Sequence, residues 1–203
     1  MYEFIPAFLT LFVVIDPVGL APTFLGLTEG LPRAVRRRIS LEACIIAFLV
    51  LAGTSLFGAW LLKTLGISLA AFRIAGGLLL FAIAFEMVFE LRHQRKAEDA
   101  VPKPQIHLAA FPLGMPLLAG PGAITASILL AGRIGHDPLG LGLLIGIIAL
   151  ILAISFLVFT LSSVLARLMG QRGTIVMGRL LGVLLAALSV QYVADGVRAL
   201  LVS

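Results

Sequence analysis

Residues 4–28, FIPAFLTLFVVIDPVGLAPTFLGLT, are apolar almost throughout, yet Asp16-Pro17-Val18-Gly19 stands at their centre and Pro22 follows. A helix that crosses a hydrocarbon core of about 30 Å needs roughly 20 mostly apolar residues, so this stretch is long enough to span a bilayer. Its middle is where a helix is hardest to continue. Proline removes a backbone donor and clashes with the carbonyl four residues earlier, and glycine tolerates strained backbone. Asp16 sits 12 positions into the run, roughly 18 Å at about 1.5 Å per residue, near the bilayer centre. The stretch therefore predicts a membrane helix broken at mid-depth.

The same ruler, moved along the chain, finds apolar runs at about 4–28, 39–62, 66–90, 107–132, 139–165 and 175–201. The expected architecture is an all-α membrane protein of six transmembrane helices, one polytopic domain over 1–203. Composition agrees: of 203 residues, 61% are hydrophobic and 12% charged, against about 45–50% and about 25% in ordinary soluble domains. Runs such as Ala43–Ala52 and Leu143–Ile154 are apolar on every face, unlike the alternating strands of a membrane barrel. Residues 1–28 contain no Lys or Arg, so they lack the basic start of a cleaved signal peptide, and the first helix is expected to remain.

The net charge of +5 and the pI near 10.1 point to membrane topology rather than a nucleic-acid partner, because of where the charges lie. Arg33, Arg36, Arg37 and Arg38 fall in loop one, Arg92, Arg95, Lys96 and Lys103 in loop three, and Arg167 and Arg172 in loop five. The opposite side has Lys63, Arg133 and Arg198. The positive-inside rule then makes loops one, three and five cytoplasmic and puts both termini outside. Residues 91–106 mix both charge signs with Pro102 and Pro104 and read as a cytoplasmic linker between repeats at 1–90 and 107–203.

The halves echo each other at two places. Gly120-Pro121-Gly122 interrupts the fourth run as Asp16-Pro17-Val18-Gly19 interrupts the first, preceded by Pro112, Gly114 and Pro116. Pro17 and Pro121 are 104 residues apart, and Arg73-x-x-Gly76-x-Leu78-Leu79 recurs 106 residues later as Arg179-x-x-Gly182-x-Leu184-Leu185. Three helices per half place the second copy upside down. Inverted repeats with paired discontinuous helices point to a secondary transporter with a midplane site, where half-helix N-termini face an anionic group.

Candidate substrate-binding residues are thus Asp16, Pro17, Gly19, Pro22, Gly120, Pro121, Gly122 and Thr125. Asp16 has two readings that share one geometry: N-cap of a half-helix starting at Pro17, or cap together with substrate or proton handling. Arg73 and Arg179, a few residues inside their spans, either snorkel or gate. Glu86 falls near the cytoplasmic interface. Gln191, like Thr54 and Ser55, offers hydrogen bonds to a ligand or to a neighbouring helix. The spacings Gly142-xxx-Gly146 and Gly178-xxx-Gly182 suit close helix approach, within the bundle first and in a homo-oligomer second.

Other chemistry has no foothold in the sequence. Cys44 stands alone, and His93, His107 and His136 lack any metal-binding spacing. No cofactor or metal is expected. An aspartyl intramembrane protease needs a second deep carboxylate, and no Walker A pattern is present, so the expectation is not an enzyme. A non-transporting structural or regulatory membrane protein is the alternative to transport.

LFVVIDPVGLAPTFLGLT in helix one, FRIAGGLLLFAIAFEM in helix three and PLLAGPGAITASILL in helix four together resemble the MarC family of bacterial integral membrane proteins, over the whole chain. That resemblance implies a six-helix inner-membrane protein similar in architecture to amino-acid exporters of the LysE type. It also implies transport of small neutral amino acids such as glycine and alanine; in the transporter reading Asp16 pairs with an ammonium group, or a coupling proton or cation is taken up. The family's D/N-P-x-G signature falls on Asp16, Pro17 and Gly19, and its G-P-G on Gly120, Pro121 and Gly122. Many relatives carry Asn directly after the first motif, where this chain has Leu20.

Overall fold

The computed structural model describes residues 4–89, 113–114, 117–135 and 137–202. The linker at 91–106, Pro112, Pro116, the three histidines and the side chains of Arg167 and Arg172 lie outside the described residues. Every regular element among the described residues is helical: α1 (Phe4–Ile15), α2 (Pro17–Leu27), α3 (Arg33–Thr64), α4 (Leu69–Val88), α5 (Pro121–Ile134), α6 (Pro138–Thr160) and α7 (Ser162–Val202). Five stretches are long and apolar enough to cross a membrane, with α1 and α2 together forming the first, Phe4–Leu27. At 14 residues, α5 rises roughly 21 Å and covers only part of a hydrocarbon core.

Both expected breaks are present. Between α1 and α2, Asp16 adopts φ 50, ψ 62, the left-handed region that costs most residues about 1–2 kcal/mol and that Asp tolerates through its short polar side chain. It is the one non-glycine with positive φ among the described residues. Ahead of α5 the Ala119 N–H donates to the Gly114 carbonyl five residues back at 3.1 Å, a π-type turn of the kind found at functional sites. Gly120 is then extended (φ −71, ψ 169) and Pro121 opens the helix.

Two boundaries differ from the sequence reading. Helix α3 begins at Arg33, not near 39, so the arginine cluster occupies its first turns and Arg38 donates to Glu42 at 2.7 Å. Arginine is a good helix former, and a water-exposed turn needs no apolar residue. Loop five is helical on either side of Gly170, whose φ 60, ψ 176 separates two segments within α7. At the far end of α3, Gly66 (φ 71) lets the Ile67 N–H reach the Leu62 carbonyl at 2.9 Å, closing a Schellman turn. Ser68 then caps α4 by accepting from the Ala71 N–H.

Most packing runs between the two halves of the chain. The first span packs on α5, α6 and α7, α3 on α5 and α6, and α4 most extensively on α7. The α4–α7 pair is antiparallel, with backbone close to backbone at its glycines. A Cβ on Gly77 would lie 2.8 Å from the Ser189 carbonyl, one on Gly182 3.2 Å from the Ala84 carbonyl, and one on Gly196 2.9 Å from the Ala70 carbonyl. Gly178 and the pair Gly142 and Gly146 have nothing in front of them. The expectation that Gly142-xxx-Gly146 packs inside the bundle is therefore corrected: both are exposed on the outer face of α6, because α6 turns Leu144, Ile148, Ile151 and Leu152 inward instead.

Candidate functional site

A cavity of about 200 Å³ opens at the start of α5. Gly120, Pro121, Gly122 and Ala123 form one wall, Val14 of α1 another, and Leu79, Ala82, Ile83 and Glu86 of α4 a third, closed by Leu117 and Leu118. The first bond of the helix joins the Ile124 N–H to the Gly120 carbonyl at 3.0 Å. The N–H groups of Gly122 and Ala123 precede that bond and have no partner within the helix. The N-cap residue, Gly120, has no side chain to cap this end. Two backbone donors and the positive end of the helix dipole, equivalent to about half a charge, thus stand at the cavity wall.

Glycine at 122 brings the walls together. A Cβ there would lie 2.8 Å from Ile83 Cδ1, 3.0 Å from Leu80 Cδ2 and 3.2 Å from Val14 Cγ1. Any larger residue would push α1 and α4 away from the helix start. Proline at 121 suits the first helical position, since its missing N–H would be an orphan there in any case.

The half-helix of the first repeat is finished differently. Asp16 is 3% exposed, and its Oδ1 accepts from the Gly19 N–H at 3.0 Å, so the carboxylate caps α2 itself. Gly19 is required by that cap, because a Cβ would fall 2.0 Å from Asp16 Oδ2. Asp137 caps α6 with the same Asp-Pro chemistry at an exposed end, accepting from Leu139 and Gly140. The two caps share geometry and differ in burial.

The remaining candidates separate by place. Gly120, Pro121 and Gly122 line the cavity, while Asp16, Pro17, Gly19 and Pro22 are not among its lining residues. Pro22 lies inside α2, which continues through it. Thr125 is buried and turns its methyl group onto Gly76 of α4, where a Cβ would meet Thr125 Cγ2 at 2.1 Å. Glu86, near the end of α4, is part of the cavity wall. Gln191 donates to Asp195 Oδ1 at 2.7 Å on the exposed side of α7. Arg179 is exposed and Arg73 half-buried, with Arg73 Nε covered. Among the described residues no group of His, Cys, Asp and Glu is arranged to hold a metal ion.

A second polar cluster escaped the sequence reading. Arg133, at the end of α5, lies 3.5 Å from Asp195 of α7 and 5.4 Å from the centre of the Tyr192 ring. Tyr192 is 2% exposed, with Thr10 of α1 and Arg73 of α4 as further polar neighbours. A tyrosine and a charge pair near span ends look like ordinary interfacial residues one by one. Their meeting depends on how α5 and α7 pack.

Residues 1–201 match the MarC family of integral membrane proteins. The chain belongs to the MarC family. MarC relatives align along nearly its whole length. A UPF0056 membrane protein of Archaeoglobus fulgidus is 39% identical over 98% of this chain and 94% of its own. The UPF0056 membrane protein YvbG of Bacillus subtilis is 35% identical over 98% and 96%, and YhcE of Escherichia coli 32% over 94% and 90%. No solved structure matches the chain. As a MarC protein the chain is an integral membrane protein, and its apolar outer surface meets lipid.

Proposed function

We propose that this MarC protein is a secondary transporter of small amphoteric solutes, with small neutral amino acids as the substrate class. The observation that carries the reading is the start of α5, capped by Gly120 with no side chain, at a cavity also lined by Glu86. A zwitterion fits both features. Its carboxylate would take the Gly122 and Ala123 N–H groups, and its ammonium group would face Glu86. The cavity, about 200 Å³, is smaller than the roughly 300–1,000 Å³ of drug-sized sites, which favours glycine or alanine over bulky side chains. A coupling proton or cation would share Glu86. No covalent step is assigned to the chain.

The reading includes two inverted three-helix halves. Support comes from the repeated motifs, the two mid-span breaks, and packing that joins the first span to α5, α3 to α6 and α4 to α7. It includes the inner membrane as location, with the Glu86 end cytoplasmic and both termini outside, following the basic residues. Asp16 takes a narrower part here than the sequence reading gave it, shaping the start of α2.

Thermal unfolding of purified protein with glycine or alanine tests the site. A ligand at a hundred times its Kd stabilises the folded state by about 2.7 kcal/mol, so Tm should rise in the wild type and not in Glu86→Gln. Unchanged Tm with every small amino acid would remove the substrate class and favour a non-transporting role.

A further inference from the structure

The two ends of the α4–α7 pair are equivalent in sequence and different in state. At the repeat offset of 106, Leu79, Ala82, Ile83 and Glu86 on α4 correspond to Leu185, Leu188, Ser189 and Tyr192 on α7. The α4 residues line an open cavity at the start of α5. On α7, Leu185 and Ser189 are 0% exposed and Tyr192 2%. Helix α7 packs on α1 and α2, the elements that meet at Asp16, and Tyr192 is hydrogen-bonded to Thr10 of α1. One half-helix start faces an opening, whereas Asp16, at the start of its counterpart, is buried.

The seal is layered. The Tyr192 ring fills the interior, and Thr10 and Arg73 are polar neighbours of its side chain. Arg133 lies over the ring and pairs with Asp195, which also accepts from Gln191. Arg133 and Asp195 retain 45% and 27% side-chain exposure, so the pair forms the solvent-facing cover. From Gly122 to Arg133, α5 rises roughly 16 Å, which puts the cover and the cavity at opposite ends of one helix.

We propose that Tyr192, held beneath the Arg133–Asp195 pair, is the gate of a second entrance leading to the Asp16 end of α2, closed in this structure while the Glu86 entrance is open. The proposal rests on the transport reading, because a gate on one side and an opening on the other is what alternating access to a central site requires. Its removal should expose residues that are now sealed.

The test uses full-length protein in oriented membrane vesicles, in a Cys44→Ala background, with a membrane-impermeant maleimide applied from either side. Ala82→Cys reports on the open cavity and Ser189→Cys on the sealed end. Ala82→Cys should react from the Glu86 side. Ser189→Cys should be protected from both sides with Tyr192 present. Tyr192→Ala should speed its labelling from the Arg133 side by about tenfold or more, the change expected when a closed equilibrium is released. Tyr192→Phe, which keeps the ring, should stay near the parent rate.

Ser189→Cys that stays protected in Tyr192→Ala, while Ala82→Cys still labels, overturns the gate. So does rapid labelling of Ser189→Cys with Tyr192 intact. If Tyr192→Ala fails to fold, Arg133→Gln supplies the same arm, and no acceleration there is equally contrary. Labelling needs no substrate, so flux measured on the same vesicles separates the two claims: absent flux with gated labelling counts against transport alone.

Discussion

Asp16 is the residue whose place at a helix break was legible and whose task was not. A count from the start of the first run places it near mid-bilayer, but only the backbone at φ 50 and the bond to the Gly19 N–H reveal that its carboxylate turns back on its own chain. Asparagine accepts the same hydrogen bond and also tolerates the left-handed region. Asp16→Asn should therefore keep thermal stability close to wild type, whereas Asp16→Ala should cost about 0.5–2 kcal/mol, the usual range for a lost N-cap. Equal Tm values for the two variants would remove the cap from the account. Glu86 is the converse case. Its nearness to the span end was legible, whereas its place on the cavity wall follows from the rotation of α4 against α5, which no local pattern encodes.

At the scale of elements, the breaks could be read because proline and glycine act through local sterics. The partners of each helix could not, since they depend on which faces meet over long sequence separations. The glycines make this plain. Gly77, Gly182 and Gly196 lie where α4 and α7 approach at backbone distance, while Gly142 and Gly146 have open space before them. By spacing, Gly142-xxx-Gly146 and Gly178-xxx-Gly182 looked alike, and of these four only Gly182 makes a close approach. Gly77→Val should lower stability by about 1–3 kcal/mol, as overpacking does, and Gly142→Val should stay within about 0.5 kcal/mol, as exposed changes usually do. Unfolding in detergent measures both. A larger loss at Gly142 than at Gly77 would mean that α6, not α4, packs through its glycines.

For the whole molecule, composition carried the class, the family match carries the membrane assignment, and the distribution of arginine and lysine supports the proposed orientation. Orientation has its own check. With both termini outside, a C-terminal alkaline phosphatase fusion should be active and a C-terminal green fluorescent protein fusion dark, and the reverse result would invert the topology. The site belongs to this scale because it needs α1, α4 and α5 together. The sequence pointed to half of it, Gly120–Gly122, while the α4 wall had to come from packing. The central claim is that the α5 start and Glu86 form the binding site of a transporter. Its most direct test is uptake of labelled glycine or alanine into proteoliposomes carrying wild type or Glu86→Gln at equal folded amounts. Substrate flux in the wild type that Glu86→Gln abolishes is the predicted result; equal flux in both, or none in the wild type with any small amino acid, would contradict it.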